Sequence, residues 1–145
     1  MRLQGTRRFQ APRERVFRAL TDPHELSELV PGVQRVEVES QDEWIAVVKP
    51  PFGPGLNLKL DMHITDRRQP EHARLTAWGK SFGARISIET EFELAEDGDG
   101  TDMVWTADVG LAGLLGGLGG KALEPVAQHH AERSLDRMQA RIESE

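Results

Sequence analysis

The sequence predicts one α+β domain, residues 1–145, in which an antiparallel sheet curls around a long C-terminal helix. Three observations predict this fold class. About seven segments show the two-residue alternation of β-strands, and the connections between them are too short for parallel crossovers. Two short helical segments follow the first strand. The last part of the chain, from Lys121 onward, has helical periodicity.

The N-terminal part of the sequence predicts a strand followed by two short helices. Residues 2–9 alternate loosely between apolar and polar side chains, which indicates a strand. "APRERVFRAL" then begins a helix, with Pro12 at an early helical position. "TDPHELSELVPG" predicts a second helix, in which Asp22 caps the N-terminus, Glu25 completes a capping box, and a Pro-Gly pair ends it.

The middle of the chain predicts six further strands. Several have an almost strict alternation that places one apolar face toward the interior. Glycine-containing turns such as "AEDGDGT" supply the connections that hairpins require. The segments are "VQRVEVES", "WIAVVK", "LNLKLDMHIT", "ARLTAWGK", "RISIETEFEL" and "DMVWTADV".

The stretch "GLAGLLGGLGG", Gly110 to Gly120, stands directly before the last helix. Glycine is a poor helix former, and Pro125 favours a kink or a break, so a bent helix or a glycine-rich loop is expected here. Two roles stay open for the stretch. The glycines could let the helix approach the sheet closely, or Leu115 and Leu118 could form an apolar gate to a cavity.

The composition excludes several classes of protein. A net charge of −6 disfavours a nucleic-acid-binding domain, which needs a basic surface. With no cysteine, the chain has neither a disulfide framework nor a thiol nucleophile. The N-terminus lacks the apolar core of a signal peptide, so a cytoplasmic location is expected.

No stretch carries a known catalytic signature. The serines occur in no nucleophile elbow, and no glycine-rich loop has the spacing of a phosphate-binding loop. His129 and Glu132 are three residues apart in the last helix, which is weak evidence for a metal site without a second such pair. We therefore predict no catalytic residue, no metal and no cofactor, which favours a non-enzymatic protein.

"ALTDPHELSELVPGVQRVE", followed by the sheet and the glycine-rich entry to the last helix, resembles the G-subunit family of carbon monoxide dehydrogenase, within the START-like superfamily. The shared pattern is a small helix ending in Asp-Pro, a second ending in Pro-Gly, and a strand containing glutamate. The resemblance implies a helix-grip fold with seven strands and an apolar cavity that holds a lipophilic molecule. It also implies an accessory role, with a molybdenum-containing dehydrogenase and the membrane surface as partners.

The alternating apolar faces, the gate and three polar residues near them define the expected ligand site. The polar members are Arg7, Thr90 and His130, and Arg7 would need a carboxylate or an anionic headgroup if it were buried. The predicted ligand-binding residues are Arg7, Leu58, Leu60, Met62, Leu75, Ile88, Thr90, Phe92, Met103, Trp105, Leu115, Leu118 and His130. Two alternatives stay open: an enzyme of the cyclase or dehydratase type within the same superfamily, and an interaction protein with a packed interior.

Overall fold

A computed structural model of the chain describes residues 1–49, 57–81, 83–113 and 120–145. In these ranges, seven strands and three helices are formed. They are, in chain order, β1 (Arg2–Phe9), α1 (Arg13–Thr21), α2 (Pro23–Leu29), β2 (Val33–Ser40), β3 (Glu43–Val48), β4 (Leu58–Arg68), β5 (His72–Ser81), β6 (Ala84–Asp97), β7 (Gly100–Gly113) and α3 (Gly120–Glu143).

The seven strands form one antiparallel sheet in the order β1-β7-β6-β5-β4-β3-β2. Consecutive strands from β2 to β7 are neighbours, and β1 joins the sheet beside β7. The sheet does not close, since β1 and β2 remain its two edges. The predicted α+β class, with two short helices after the first strand and a C-terminal helix, is confirmed.

Alternation along the strands separates an inner face from an outer face. In β5, Ala73, Leu75 and Ala77 are buried, whereas the residues between them are partly or largely exposed. The register aligns these positions with the apolar residues of the neighbouring strands, for example Ala77 with Ile88. The inner face is therefore continuous across the sheet, and the helices pack against it.

Helix α2 begins as its capping residue predicts, but without the expected capping box. The Asp22 carboxylate accepts hydrogen bonds from the backbone N–H groups of His24 and Glu25. The side chain of Glu25 does not reach back to Asp22. It pairs with Arg15 instead, at 2.6 Å between Nη2 and Oε1 and 3.2 Å between Nη1 and Oε2, because the guanidinium offers two parallel N–H donors and an opposite full charge.

The described ends of the glycine-rich stretch belong to two elements, β7 and, from Gly120, α3. The expected bent helix or glycine-rich loop falls mainly on residues 114–119, which lie outside the described residues, but the strand at the start of the stretch was not predicted. Gly110–Gly113 form the end of β7, where Gly110 pairs in register with Ser87. Gly113 has φ +66°, and a Cβ there would overlap the carbonyl oxygen of Gly83. Leu115 and Leu118 lie outside the described residues.

Helix α3 runs from Gly120 to Glu143 with Pro125 inside it, so the predicted break does not occur. Pro125 is the sixth residue of α3, where it removes one backbone hydrogen bond, and the helix nevertheless continues beyond it to Glu143. The C-terminal half of α3 is the more deeply buried, through Leu135, Met138 and Ile142. This half joins the main core beneath α1, where the Phe17 ring meets Phe92 edge to face at 6.1 Å.

Candidate functional site

A cavity of about 340 Å³ lies between the inner face of the sheet, α2 and α3. Its walls are mainly aliphatic and aromatic side chains. Ten of the predicted ligand-binding residues line it: Leu58, Leu60, Met62, Leu75, Ile88, Thr90, Phe92, Met103, Trp105 and His130. The volume falls within the range of small-molecule binding pockets.

Small side chains on α3 contribute to the space. In the N-terminal half of α3, the residues that line the cavity are Ala127, His130 and Ala131. One to two turns later, the longer side chains of Leu135 and Met138 are buried in the core and also line the cavity. The cavity wall of α3 thus changes from the short Ala127 and Ala131 to long side chains where the helix enters the packed region.

Few polar groups reach the cavity. Among the described lining residues, His130 and Lys49 are the ionisable ones, and Lys49 is exposed at the end of β3. The remaining polar members carry a hydroxyl group (Ser27, Thr76, Thr90 and Ser134) or an indole N–H (Trp44 and Trp105). A lining with so few ionisable groups suits an apolar molecule better than an ionic one.

His130 connects α3 to the end of α2. Its Nε2 lies 2.8 Å from the carbonyl oxygen of Pro31. A carbonyl only accepts, so Nε2 carries the proton that it donates. The contact holds one wall of the cavity to the other and gives this imidazole nitrogen a structural role.

Thr90 places a hydroxyl-bearing residue in the middle of the sheet wall. It is aligned in register with Leu75 on one side and Ala107 on the other, and both of these also line the cavity. Ile88 and Phe92 flank it on the same face of β6. A ligand with a single polar group would find a hydrogen-bonding partner there.

Arg7 does not line the cavity, although it was predicted to bind the ligand. Its guanidinium contacts α3, with Nη2 at 2.7 Å from Glu132 Oε2 and Nη1 at 2.8 Å from Asp136 Oδ1. Burial lowers the pKa of Arg7, but the hydrogen bonds and charges of these two carboxylates outweigh that effect and raise it. Arg7 therefore acts as a tie between β1 and α3.

The family model CoxG, which describes the G-subunit of carbon monoxide dehydrogenase, matches residues 5–143. The chain belongs to this family. No curated relative matches the sequence.

Solved structures with the same fold extend over nearly the whole length of this CoxG family member. A protein from Geobacillus kaustophilus is 22% identical, with a TM-score of 0.85, covering 99% of this chain and 96% of its own. A protein from Rhizobium leguminosarum is 20% identical, with a TM-score of 0.77 and coverages of 100% and 95%. A START superfamily protein from Mycobacterium smegmatis is 12% identical, with a TM-score of 0.77 and coverages of 99% and 97%. At these identities the likeness shows a START-like fold.

Two regions of the cavity in this CoxG domain were not predicted from the sequence. Helix α2 contributes Leu26 with Val30 just after it, and β3 contributes Trp44, Ala46 and Val48. The helical spacing of four residues between Leu26 and Val30, and the strand spacing of two residues from Trp44 to Val48, are the signals that could have identified them. Both segments lie at the β2 side of the sheet, which the prediction left without a role in the site.

Trp105 shapes the cavity wall through its close contact with Gly5, its register partner on β1. A Cβ at Gly5 would lie 2.8 Å from Trp105 Nε1. The indole Nε1 is buried without a hydrogen-bond partner among the described residues. Glycine at position 5 therefore provides the space in which the indole lies.

Outside the cavity, the sheet brings together a group that the sequence did not reveal. His72, Glu91 and Glu93 each offer a ligand atom within 4.8 Å of the others. They lie on the outer face of β5 and β6, where Arg74 Nη2 is 3.1 Å from Glu91 Oε2.

Within the described ranges, no helix is long and apolar enough to cross a membrane.

Proposed function

We propose that this chain binds a lipophilic small molecule in its cavity and serves as a non-enzymatic accessory factor. The observation that carries the proposal is the cavity of about 340 Å³ with apolar walls. Protein interiors are close-packed, with few voids larger than a water molecule, so a space of this size in a domain of 145 residues calls for an occupant.

Burial of apolar surface provides the binding free energy. Each 100 Å² of apolar ligand surface removed from water contributes about 2.5 kcal/mol. Thr90 and the hydroxyls near α2 and α3 supply a few hydrogen-bonding positions that would orient the molecule. The absence of acidic side chains among the described lining residues favours a ligand without positive charge.

Membership of the CoxG family supports the accessory role. We infer that the partner is a molybdenum-containing dehydrogenase and that the ligand serves that enzyme rather than a reaction within this chain. A cyclase or dehydratase would need at least two catalytic polar groups converging in the cavity. Thr90 is on the sheet wall, and Nε2 of His130 is already engaged by Pro31, so this alternative has less support.

The direct test is native mass spectrometry of the protein purified from its own source, followed by solvent extraction and identification of the released molecule. We expect one lipophilic species in a stoichiometric amount. The matched control is Ala77→Phe, which places a ring in the cavity and should be recovered without the molecule. A wild-type protein that is purified empty, and that also fails to bind the uncharged dye Nile red, would overturn the proposal.

A further inference from the structure

His72 is a largely buried histidine whose ring nitrogens make no hydrogen bond within the described part of the chain. It is the first residue of β5, next to the completely buried Ala73, and its side chain is 12% exposed. Carboxylate oxygens of Asp66 and Glu91 lie 3.4 Å and 3.8 Å from Nε2, and one of Glu93 lies 3.8 Å from Nδ1. A good N–H···O hydrogen bond is about 2.7–3.2 Å long, so all three contacts exceed that length. The ring is therefore surrounded by acceptors that it does not bond.

The spacing of these atoms fits a bound metal ion. His72, Glu91 and Glu93 each offer one ligand atom, and the three atoms lie within 4.8 Å of one another. Zinc bound tetrahedrally to nitrogen and oxygen at about 2.1 Å holds neighbouring ligand atoms about 3.4 Å apart. Small rotations of the two glutamate side chains would bring the three atoms to that separation.

The pairing of β5 with β6 fixes the positions of these three side chains. His72 is the direct register partner of Glu93, and Ala73 is that of Phe92. Ala73 and Phe92 are buried on the inner face, so the residues that flank them, including Glu91, project from the outer face. The three possible ligands thus stand on two hydrogen-bonded strands, where a metal site is held more precisely than on a loop.

The surroundings of His72 hold an excess of negative charge. The carboxylates on this part of the outer face are those of Asp66, Glu89, Glu91 and Glu93. The guanidinium groups that pair with them are those of Arg68 and Arg74. Four carboxylates against two guanidinium groups leave two negative charges uncompensated. Like charges that adjoin in a sheet are destabilising, and one divalent cation would balance both.

Arg74 and Asp66 orient the group without occupying its centre. Arg74 Nη2 is 3.1 Å from Glu91 Oε2, which leaves Oε1 of the same carboxylate facing His72. Asp66 Oδ2 lies 3.4 Å from Nε2 of the ring. A histidine that binds a metal through one nitrogen typically turns its other N–H toward a carboxylate or carbonyl, which fixes the ring. Asp66 is placed for that second role, with Nδ1 left for the ion.

We propose that His72, Glu91 and Glu93 bind a divalent transition-metal ion of the zinc class on the outer face of the sheet. An imidazole among the donors suits zinc better than calcium or magnesium, which prefer oxygen ligands. The ion would join β5 to β6 directly behind Ala73 and Phe92. The group projects from the face opposite the cavity, so this inference does not depend on the proposed function.

Calorimetric titration of the chelator-treated chain with zinc chloride at neutral pH tests the site. We expect one zinc ion per chain for the wild type. His72→Gln and Glu93→Gln each remove a ligand, and each should weaken binding more than about a hundredfold, the upper end of the effect of losing an outer carboxylate. Glu93→Gln is the more decisive variant, because Glu93 is exposed and the described residues pair it with His72 alone.

Two other histidines provide matched controls. His63 also faces a carboxylate on the outer face of the sheet, that of Glu43 at 3.7 Å, but it has no second one in its described ion pairs. His129 is exposed on α3. His63→Gln and His129→Gln should both bind zinc like the wild type. Asp66→Asn keeps all three ligands, and it should weaken binding roughly tenfold to a hundredfold through the orientation of the ring.

Urea unfolding provides a second readout. Excess zinc should raise the midpoint for the wild type and for His63→Gln but not for Glu93→Gln, because an ion bound only by the native state stabilises that state.

A wild-type chain that does not bind zinc, a Glu93→Gln variant that binds it like the wild type, or loss of binding in either control variant would overturn the proposal. Nile red titration separates these outcomes from a failure of the proposed function. Zinc and Glu93→Gln should both leave the dye affinity unchanged. A chain that binds zinc but not the dye would refute the proposed function and leave the metal site intact.

Discussion

The two ends of the sheet's inner face are built alike but covered differently. Near the β4–β5 turn, Ala73 is completely buried and aligned with Phe92, whose ring meets Phe17 of α1. Four residues along the same strand and on the same face, Ala77 lines the cavity. One alanine thus belongs to a packed core and the other to a hollow.

The difference lies in the elements that cover the sheet. Helix α1 and the C-terminal half of α3 place long side chains over the packed end. Over the hollow end lie α2 and the part of α3 with Ala127 and Ala131. The helices that cover the sheet therefore determine where the cavity forms, and similar strand residues have different roles at the two ends.

The largest difference in stability between the two ends should come from replacing each of the two alanines with phenylalanine. Ala73→Phe forces a ring into a site without space, and we expect the free energy of unfolding to fall by about 3 kcal/mol. Ala77→Phe should change it by less than about 1 kcal/mol, because the ring enters the cavity and buries apolar surface there. Urea unfolding measures both. Similar losses in the two variants would show that the cavity end is as tightly packed as the other.

Shortening one isoleucine at each end gives a smaller contrast. Ile64 is buried in the main core and does not line the cavity, so Ile64→Ala should cost about 2.5 kcal/mol. Ile88 is partly buried beside the cavity, and Ile88→Ala should cost about 1 kcal/mol while changing the affinity for Nile red. An Ile64→Ala variant with altered dye affinity but wild-type stability would reverse the assignment of the two ends.

The smallest effect concerns the ion pairs that tie the packed end together. The hydrogen bond from Arg15 lowers the pKa of Glu145, so this pair stabilises the fold above the ordinary glutamate value of about 4.5 and loses its effect as the pH falls below it. Glu145→Gln should therefore be less stable than the wild type at pH 7, and the gap should close in acid. Glu124→Gln, at an exposed glutamate near the start of α3, should show no such dependence. A gap that stays constant with pH would contradict the role of this pair.

The strands were predictable because alternation is a local property of the chain. The segments quoted for β2 to β7 fall within three residues of the observed ends, apart from the end of β7, which lies four residues further along the chain. Gly110–Gly113 were missed because glycine has low strand propensity, and only the pairing with residues 84–87 of β6 stabilises them as a strand.

The site was predictable where it depends on the sheet and not where it depends on distant elements. The face of β4 to β7 followed from alternation. The fate of Arg7 did not, because Glu132 and Asp136 are more than a hundred residues away along the chain. The contribution of α2 depends in the same way on how that helix packs against β2 and α3.

The three tryptophans divide between the cavity and the outer face of the sheet. Trp44 and Trp105 line the cavity, whereas Trp78 is on the outer face. The chain has no tyrosine, so its near-ultraviolet emission comes almost entirely from these indoles. With Trp78 replaced by Phe, intrinsic fluorescence would report the interior alone. With Trp44 and Trp105 replaced instead, it would report the outer face, so the protein carries its own separate optical probes for filling of the cavity and for contact with a surface.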